Sequence, residues 1–528
     1  MTDVAEAVPH AVTEAPADPP FLPEFIAQHA RERPDQVALI HGEQQLTYAG
    51  LDQLMDRVAA ATQRDGLKPQ QNLAICALSS INYVGVFLGA LRAGLAAAPL
   101  APSSTPESLI GMLDDCAAPL FFLDASVARE IAGVDDRITA RRIALDSSEA
   151  GEPFEAWLAS GDTKPEPVTI DPAWAFNIIY SSGTTGAPKG IVQSHRMRFT
   201  HMGHYEGSPY VRDTVTMVST PLYSNTTLVS ILPTLAQGGT AVLMEKFDVE
   251  KFLKLAEKHR ATNAMLVPVQ YRRLLEHPDF DRYDLSSFRM KFCTSAPFSA
   301  ELKAAVLKRW PGGLIEYYGM TEGGGGGVLH AHEHPDKLHT VGKPAPGVDV
   351  RIIDDEGREL PQGGVGEIVG RSGSMMTGYY NKPEKTSEAQ WVSPEGLVFI
   401  RNGDVGRFDE DGFLQLMDRK KDMIISGGFN IYQSDIEAVI VQHPSVVEAA
   451  VVGVASDRWG ETPVAFIAVH ESQPASADAL KAWANERLGK TQRLADIVLV
   501  DSLPRSHIGK VLKRELRDAY KAPEGVTL

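Results

Sequence analysis

The sequence is poor in cysteine, in net positive charge and in long apolar runs. Among 528 residues there are three cysteines, and Cys76, Cys116 and Cys293 are spaced too widely for a disulfide framework or a cysteine metal cluster. Sparse cysteine of this kind suits a reducing compartment, so we expect a cytoplasmic protein. No apolar run reaches the roughly eighteen residues that a membrane helix needs. The sequence therefore predicts no transmembrane segment.

Acidic residues outnumber basic ones. Against 51 lysines and arginines there are 68 aspartates and glutamates, which gives a formal net charge of −17. An acidic surface argues against nucleic acid or an anionic membrane as a constant partner. Hydrophobic residues make up 43% of the chain, as in a globular protein. We expect small-molecule partners, with any anionic substrate held by local lysines, arginines and backbone amides. The composition leaves the oligomeric state open.

Apolar segments of strand length alternate with segments of helix length from Leu73 to about Lys308. This alternation predicts an α/β fold with a parallel, doubly wound sheet. From Val348 onward, short strands between glycine and aspartate turns predict a small antiparallel β-barrel or meander. The charge run Asp418–Asp422 precedes a compact α+β segment of about a hundred residues, an ordinary size for one domain. Residues 1–20, rich in alanine, proline and acid, indicate a disordered tail.

A loop rich in glycine and hydroxyl groups lies between two strand-like segments, at Ile179–Gly190. Glycine lets backbone N–H groups approach an anion closely, while hydroxyls and Lys189 add donors and a fixed positive charge. The pattern predicts a phosphate cradle. It is not the P-loop of kinases and GTPases, because Pro188 precedes the lysine and Gly190 follows it. For this loop alone, an ordinary surface turn is the alternative.

A second motif, Tyr317–Glu322, follows another apolar segment. An aromatic side chain beside a glycine can stack on a purine, Thr321 offers a hydroxyl, and Glu322 offers a carboxylate that suits Mg²⁺. Farther along, Asp404 and Arg419 could bind ribose hydroxyls. For Asp404 the plainer interpretation is a turn, since glycine–aspartate pairs are common in turns. For Arg419 it is a solvated linker, formed by the charge run around this residue.

Two glycine turns mark the last segment of the chain. Ser426–Gly428 lies at its entry, and Gly509 with Lys510 lies near its end. A lysine on a glycine turn can swing into a cleft from a mobile domain. The plainer interpretation of Lys510, taken by position alone, is one more surface lysine.

Taken together, six motifs resemble, in order and spacing, those of the adenylate-forming superfamily of acyl-CoA synthetases, peptide-synthetase adenylation domains and beetle luciferase. The resemblance covers about Phe21 to Asp518. It implies a large N-terminal domain of two doubly wound subdomains and a small β-barrel, with a smaller α+β C-terminal lid. It also implies a two-step reaction. A carboxylate first attacks the α-phosphate of ATP to give an acyl-AMP and pyrophosphate, and a thiol, usually that of coenzyme A, then displaces AMP.

The resemblance also implies roles for individual residues. Catalysis would fall to Lys510, Thr185, Glu322 and Lys189, with Glu322 as the Mg²⁺ ligand and Lys421 at the hinge. Pantetheine binding would involve Ser426, Gly427 and Gly428, with Trp459 on the lid segment of CoA ligases. The implied ATP-binding set is Ser181, Ser182, Gly183, Thr184, Thr185, Gly186, Lys189, Ser295, Ala296, Pro297, Tyr317, Tyr318, Gly319, Met320, Thr321, Asp404, Arg419 and Lys510.

The acyl pocket is where the sequence departs from the family pattern. Ser224 replaces a histidine that many acyl- and aryl-CoA ligases carry, and Ser295 replaces the usual glycine of the adenine wall. The run Gly323–Gly327 replaces side chains, which we interpret as room for substrate, with a flexible loop as the alternative. The implied acyl-pocket set is His204, Tyr223, Ser224, Asn225, Thr226, Ser230, Met265, Gly319, Gly324 and Gly325.

The sequence therefore predicts an ATP- and Mg²⁺-dependent carboxylic acid–CoA ligase. Its predicted parts are a tail at 1–20, an adenylation domain at 21–418, a hinge at 419–422 and a lid at 423–528. One alternative is a stand-alone enzyme that loads an acyl group onto a carrier-protein phosphopantetheine. Another, of a different class, is a nucleotide-binding or sensor protein without catalysis. Which acid is used is not readable from the sequence.

Overall fold

The computed structural model describes residues 20–180, 188–203, 207–419, 422–426, 429–456, 459–470, 472–490, 492–505 and 510–521. The chain divides into two compact units. The first is Met1–Val350 with Gly370–Ile400, and the second is Arg351–Val369 with Arg401–Leu528. The predicted tail through residue 19 lies outside the described residues, as do Ser181, Ser182, Gly183, Thr184, Thr185, Gly186, His204, Lys421, Gly427 and Gly428.

The helices are α1 (Leu22–Glu32), α2 (Tyr48–Arg64), α3 (Ile81–Arg92), α4 (Pro106–Cys116), α5 (Ala125–Ile131), α6 (Phe154–Trp157), α7 (His195–Phe199), α8 (Asn225–Ala236), α9 (Val249–Lys258), α10 (Pro268–Leu275), α11 (Ala300–Arg309), α12 (Pro383–Glu388), α13 (Gln433–Ile440), α14 (Ala477–Arg487) and α15 (Lys513–Ala519).

The strands are β1 (Val37–His41), β2 (Gln44–Thr47), β3 (Asn72–Cys76), β4 (Ala96–Pro99), β5 (Leu120–Leu123), β6 (Arg141–Ala144), β7 (Glu152–Pro153), β8 (Ala175–Tyr180), β9 (Gly190–Ser194), β10 (Val215–Val218), β11 (Thr240–Leu243), β12 (Asn263–Leu266), β13 (Met290–Cys293), β14 (Gly313–Tyr318), β15 (Gly327–His330), β16 (Asp349–Ile353), β17 (Gly366–Arg371), β18 (Gly378–Tyr379), β19 (Gln390–Val392), β20 (Val398–Phe408), β21 (Leu414–Arg419), β22 (Ile424–Ser426), β23 (Phe429–Ile431), β24 (Val446–Ser456), β25 (Gly460–Val469) and β26 (Asp496–Leu499).

The first unit contains two eight-stranded sheets. Their strand orders are β15-β14-β13-β12-β10-β11-β1-β2 and β18-β9-β8-β4-β3-β5-β6-β7. Most interior pairs are parallel, as β13 with β14 and β3 with β4, which confirms the predicted doubly wound α/β architecture. Hairpin partners such as β14 with β15 and β8 with β9 are antiparallel, because a short connection can only reverse the chain. The sheets are therefore mixed, not wholly parallel.

Helix α2 illustrates how local sequence sets these elements. Thr47 is its N-cap and accepts a hydrogen bond from the Gly50 N–H at 3.2 Å, as a capping hydroxyl does. Helix α3 packs closely against α2, because a Cβ at Gly85 would lie 2.3 Å from Leu54 and one at Gly89 would lie 2.5 Å from Val58. A Cβ at either position would force the facing side chain to move, so glycine favours this close helix contact.

The second unit contains two groups of strands. Strands β16, β17 and β20 lie side by side in that order, β19 and β21 each pair with β20, and the other sheet has the order β23-β22-β25-β24 with β26 beside β25. Helices α13 and α14 pack on the second sheet through Ile436, Ile440 and Leu480. This is the predicted small α+β segment. The boundaries of tail, adenylation domain, hinge and lid stay predictions.

Among the described helices, each is too short or too polar to span a bilayer.

Candidate active site

Neighbouring strands of the first unit end beside one another and carry the predicted site residues. Strands β12, β13 and β14 are parallel neighbours. Ser295 follows β13, and Gly319 follows β14. Carboxyl ends of parallel strands meet at one edge of a sheet, where ligands bind in open α/β folds. The first turn of α8, the helix that follows β10, reaches the same edge, because the Thr226 and Ser295 hydroxyl oxygens lie 2.5 Å apart.

Ser295 has a backbone conformation that favours glycine. Its φ angle is +79°, in the left-handed region that a residue with a Cβ adopts at a cost. This accounts for the glycine that the family pattern carries here. Within the predicted adenine wall, Ser295 and Ala296 are half-buried and Pro297 is exposed.

Ser224, at the place of the missing histidine, is the N-cap of α8. Its Oγ accepts a hydrogen bond from the Thr226 N–H at 3.3 Å, and serine is among the preferred N-cap residues. Of the other predicted acyl-pocket residues, Ser230 donates to the Thr227 carbonyl at 3.0 Å within the helix. Burial raises the pKa of the Tyr223 hydroxyl to about 12.

Asn225 carries a buried acceptor. Its side-chain Oδ1 is buried and has no hydrogen-bond partner among the described residues. Leaving such an acceptor unpaired costs free energy that a ligand donor can recover. The amide therefore suits a polar group of a bound molecule.

The aromatic residues of the second motif divide between the two faces of β14. Tyr317 stacks on Phe292, with ring centroids 5.9 Å apart and an angle of 13°, and Phe292 in turn stacks on Tyr210. Met265 belongs to this apolar cluster and is 1% exposed. Successive strand residues point to opposite faces, so Tyr318 lies on the other face from Tyr317.

Glycine occupies the positions of the run Gly323–Gly327 for a different reason from the one that we expected. An added Cβ would lie 1.6 Å from the Ser374 carbonyl oxygen at Gly323, 2.5 Å from Ile400 at Gly324, and 1.8 Å from the Tyr318 carbonyl oxygen at Gly326. The explanation that absent side chains widen a pocket is wrong, since side chains at these positions would collide with packed protein. Close backbone approach requires the glycines. That Gly324 and Gly325 border the acyl group stays a prediction.

Tyr379 connects Lys189 with Glu322. The Lys189 Nζ lies 4.4 Å from the centroid of the Tyr379 ring, within the range of a cation–π interaction. The Tyr379 hydroxyl donates to Glu322 Oε1 at 2.8 Å. Burial, followed by the neighbouring Glu322 carboxylate, raises the pKa of Tyr379 above its usual range, so its hydroxyl keeps its proton at neutral pH. The phosphate-loop lysine and the predicted metal ligand therefore share one neighbour.

The carboxylate of Glu322 fits a divalent cation. Its Oε1 accepts the tyrosine hydroxyl, and no other hydrogen bond to the carboxylate comes from the described residues. The Met376 N–H donates to the Glu322 carbonyl at 2.8 Å and fixes the backbone. Oxygen ligands of this kind are those that Mg²⁺ prefers.

A buried polar network holds the residue before Glu322. Gln193 Nε2 donates to the Thr321 carbonyl at 2.7 Å. The Gln193 Oε1 accepts from Asn177 Nδ2 at 2.9 Å and from the Arg198 guanidinium. Arg198 is 0% exposed, no carboxylate of the described chain lies within ion-pair distance, and burial lowers its pKa to about 9. The network fixes the Gln193 amide so that its Nε2 donates to the Thr321 carbonyl.

The second unit carries the remaining predicted residues. Asp404 in β20 lies opposite Arg419 in β21 in the antiparallel register, so the two predicted ribose ligands are backbone neighbours. Ser426 ends β22, and Trp459 is 46% exposed. Lys510 lies next to an isolated bridge between Arg505 and Val511.

Sequence reasoning missed Tyr379, Gln193, Asn177 and Arg198. The last three offered one signal, which is that polar residues stand inside or beside otherwise apolar strand segments. Tyr379 offered none, because an aromatic residue before Tyr380 and Asn381 is equally consistent with simple packing.

Comparison with known proteins gives matches along most of the chain. A family model described as AMP-binding enzyme matches residues 26–380, and one described as AMP-binding enzyme C-terminal domain matches residues 435–510. The fatty acid–[acyl-carrier-protein] ligase ScoC of Streptomyces coeruleorubidus is 32% identical over 504 residues, covering 93% of this chain and 95% of the relative. A feruloyl-CoA synthase of an Amycolatopsis species is 32% identical over 499 residues, covering 93% and 98%.

Solved structures are similar over the same length. ATP-bound MatB from Rhodopseudomonas palustris has a TM-score of 0.83 at 28% identity, covering 94% of this chain and 99% of that one. The o-succinylbenzoate coenzyme A synthetase of Bacillus subtilis, in complex with ATP and magnesium ion, has a TM-score of 0.80 at 25% identity, with the same coverage.

Proposed function

This chain belongs to the AMP-binding enzyme family and is an AMP-forming acid–thiol ligase, and on that premise we propose which residues carry each step and which acid and thiol it joins. The reaction has two steps, acyl-AMP formation from a carboxylate and ATP, then thioester formation with release of AMP. The observation that supports the residue assignment best is that Tyr379 contacts both the Lys189 ammonium and the Glu322 carboxylate, so that these two predicted ligands lie around one side chain.

In the first step the substrate carboxylate oxygen attacks the α-phosphorus, and the bond from that phosphorus to the bridging oxygen of pyrophosphate breaks. This step needs positioning and charge stabilisation, not a protein nucleophile. Lys189 and the hydroxyls of Thr184 and Thr185 would hold the departing pyrophosphate. Tyr318 would stack on adenine against Ser295–Pro297, and Asp404 with Arg419 would bind ribose.

Magnesium would be held by Glu322 and by the phosphates, and when bound it would neutralise charge that develops on the phosphate oxygens. Lys510 would place a positive charge between the carboxylate and the α-phosphate. In the second step the thiol sulfur attacks the acyl carbon and AMP leaves. Ser426 and its glycine neighbours would line the path of the pantetheine arm, and Trp459 would border the same path.

For the acid we propose an aromatic carboxylic acid that carries a hydrogen-bond donor. The buried Asn225 Oδ1 has no partner among the described residues and can accept from such a group. A relative at 32% identity is named for the feruloyl group, an aromatic acyl group. The thiol we propose is that of coenzyme A. The carrier-protein ligase at 32% identity supports the second candidate, a carrier-bound phosphopantetheine.

One experiment separates these possibilities. Purified protein is incubated with ATP, Mg²⁺ and a panel of aromatic and aliphatic acids, and AMP is measured without thiol, with CoA, and with a phosphopantetheinylated carrier protein. We expect acid-dependent AMP release that CoA accelerates, with the highest kcat/KM for hydroxylated aromatic acids. Acceleration only by the carrier protein would favour the second candidate. A lack of AMP with every acid would contradict catalysis altogether.

A further inference from the structure

Lys189 and Glu322 carry opposite charges close to one another. Both contact Tyr379, the lysine through the ring face at 4.4 Å and the carboxylate through the hydroxyl at 2.8 Å. No ion pair between the two occurs within 4.0 Å in the part of the chain that the structure describes. Two such charges would ordinarily attract each other. Instead, the two groups share Tyr379 as a common neighbour.

Tyr379 is fixed from several sides. It belongs to β18, which adds to the sheet edge at β9, with Tyr379 opposite Ile191. Its backbone N–H donates to Thr386 Oγ1 at 2.9 Å, and the next residue, Tyr380, donates its N–H to the Gly190 carbonyl at 2.7 Å. The side chain is 7% exposed. A tyrosine held this firmly can orient the groups that it contacts.

The tyrosine contacts the two charges in different ways. Its ring face, where the quadrupole is negative, attracts the ammonium, and its hydroxyl donates to the carboxylate, a charge-assisted bond. A leucine could do neither, and a phenylalanine could do only the first. The side chain therefore discriminates between the lysine and the glutamate by its geometry.

We propose that Tyr379 is a positioning residue that keeps Lys189 and Glu322 apart and oriented, so that the ammonium remains available to phosphate and the carboxylate to Mg²⁺. The inference rests on the proposed roles of those two residues in binding ATP and its metal ion. It adds a residue that acts on both charges, through its ring face and through its hydroxyl. Loss of the hydroxyl alone should affect the metal, and loss of the ring should also affect the nucleotide.

The test compares Tyr379→Phe with Tyr379→Leu. For each variant, Mg²⁺ is titrated at fixed ATP into the acid-dependent pyrophosphate release, and binding of ATP at several Mg²⁺ concentrations is measured by calorimetry without any acid. Residues that orient a metal ligand typically contribute 10- to 100-fold to metal affinity. For Tyr379→Phe we expect the half-saturating Mg²⁺ concentration to rise about 10-fold, with ATP binding at saturating Mg²⁺ nearly unchanged.

For Tyr379→Leu we expect the same Mg²⁺ shift together with ATP binding weakened several-fold even at saturating Mg²⁺, because the ammonium loses its ring and pairs with the carboxylate. Tyr380→Phe is the matched control. It removes the neighbouring hydroxyl, which accepts from Asn72 Nδ2 at 3.0 Å, and it should leave the Mg²⁺ requirement where it is. Thermal unfolding of all variants checks folding.

A Tyr379→Phe variant with the wild-type Mg²⁺ requirement in both assays would overturn the inference. So would an equal shift in Tyr380→Phe, which would show a general effect of packing. The failure of the proposed function looks different. There the wild-type protein itself would release no pyrophosphate with any acid, or Glu322→Gln would leave the Mg²⁺ requirement unchanged.

Discussion

The hydroxyl oxygens of Thr226 and Ser295 lie 2.5 Å apart, and Ser295 adopts a φ of +79°. The hydrogen bond joins the first turn of α8 to the loop after β13, between the predicted acyl and adenine sites. The left-handed conformation costs roughly 1–2 kcal/mol in a residue with a Cβ, and a hydrogen bond returns roughly 1 kcal/mol. The two effects at Ser295 therefore nearly cancel.

This balance predicts that Ser295→Gly changes the free energy of unfolding by less than about 1 kcal/mol, because relief of strain offsets the lost bond. Thr226→Val in the wild-type background should cost about 1–2 kcal/mol, since it leaves the Ser295 hydroxyl without its partner. In the Ser295→Gly background the same change should cost less. A double-mutant cycle in urea measures the coupling, and strictly additive effects would contradict it.

The glycine run predicts a difference between neighbouring glycines. Gly326→Ala would place a Cβ 1.8 Å from the Tyr318 carbonyl oxygen, so we expect a loss of stability of more than about 2 kcal/mol. Gly319→Ala is the control, because a Cβ there meets nothing within 4 Å, and it should cost less than about 0.5 kcal/mol. Urea unfolding of both variants checks this. Equal losses of stability in the two variants would support the alternative interpretation, in which the glycine run is a flexible loop.

The same run shows where reasoning from sequence stops. Apolar spacing predicted the alternation of strands and helices to which Val249–Lys258 and Pro268–Leu275 belong, because such helices are set by local apolar spacing and caps. The cause of the glycines could not be predicted, since Ser374 and Ile400 reach them from distant parts of the chain. Tyr379 was missed for the same reason. Its partners are 190 and 57 residues away, at Lys189 and Glu322.

His195 predicts a dependence of stability on pH. It is 2% exposed, its ring packs edge-on to Phe21 and Phe176, and its Nδ1 has no hydrogen-bond partner in the described chain. Burial lowers its pKa to about 4 from 6.5. As pH falls, His195 in the unfolded chain therefore binds a proton at a higher pH than His195 in the folded protein does. The contribution of His195 to stability is complete above about pH 6.5 and is lost progressively towards pH 4.

At pH 5 this loss should amount to about 2 kcal/mol relative to pH 7.5. His195→Phe keeps a ring of similar size and cannot bind the proton, so the variant should lose about that much less on acidification. Urea unfolding at the two pH values measures it. His201, whose pKa burial lowers to about 3, is present in both proteins and cancels in the comparison. Parallel losses in wild type and variant would contradict the assignment to His195.

Lys510 predicts a separation of the two half-reactions. We expect Lys510→Ala to lower acyl-AMP formation by roughly 10²–10³-fold, the usual loss on removing one group that stabilises developing charge. Thioester formation from pre-made acyl-AMP should stay within a few-fold of wild type, because the lysine has no role once pyrophosphate has left. Pyrophosphate release and thioester formation are measured separately in single-turnover experiments. Lys490→Ala, which removes an exposed lysine of the same unit, controls for the loss of charge. Adenylation by Lys510→Ala at the wild-type rate would remove this residue from the first step, and equal impairment of both steps would indicate a structural role.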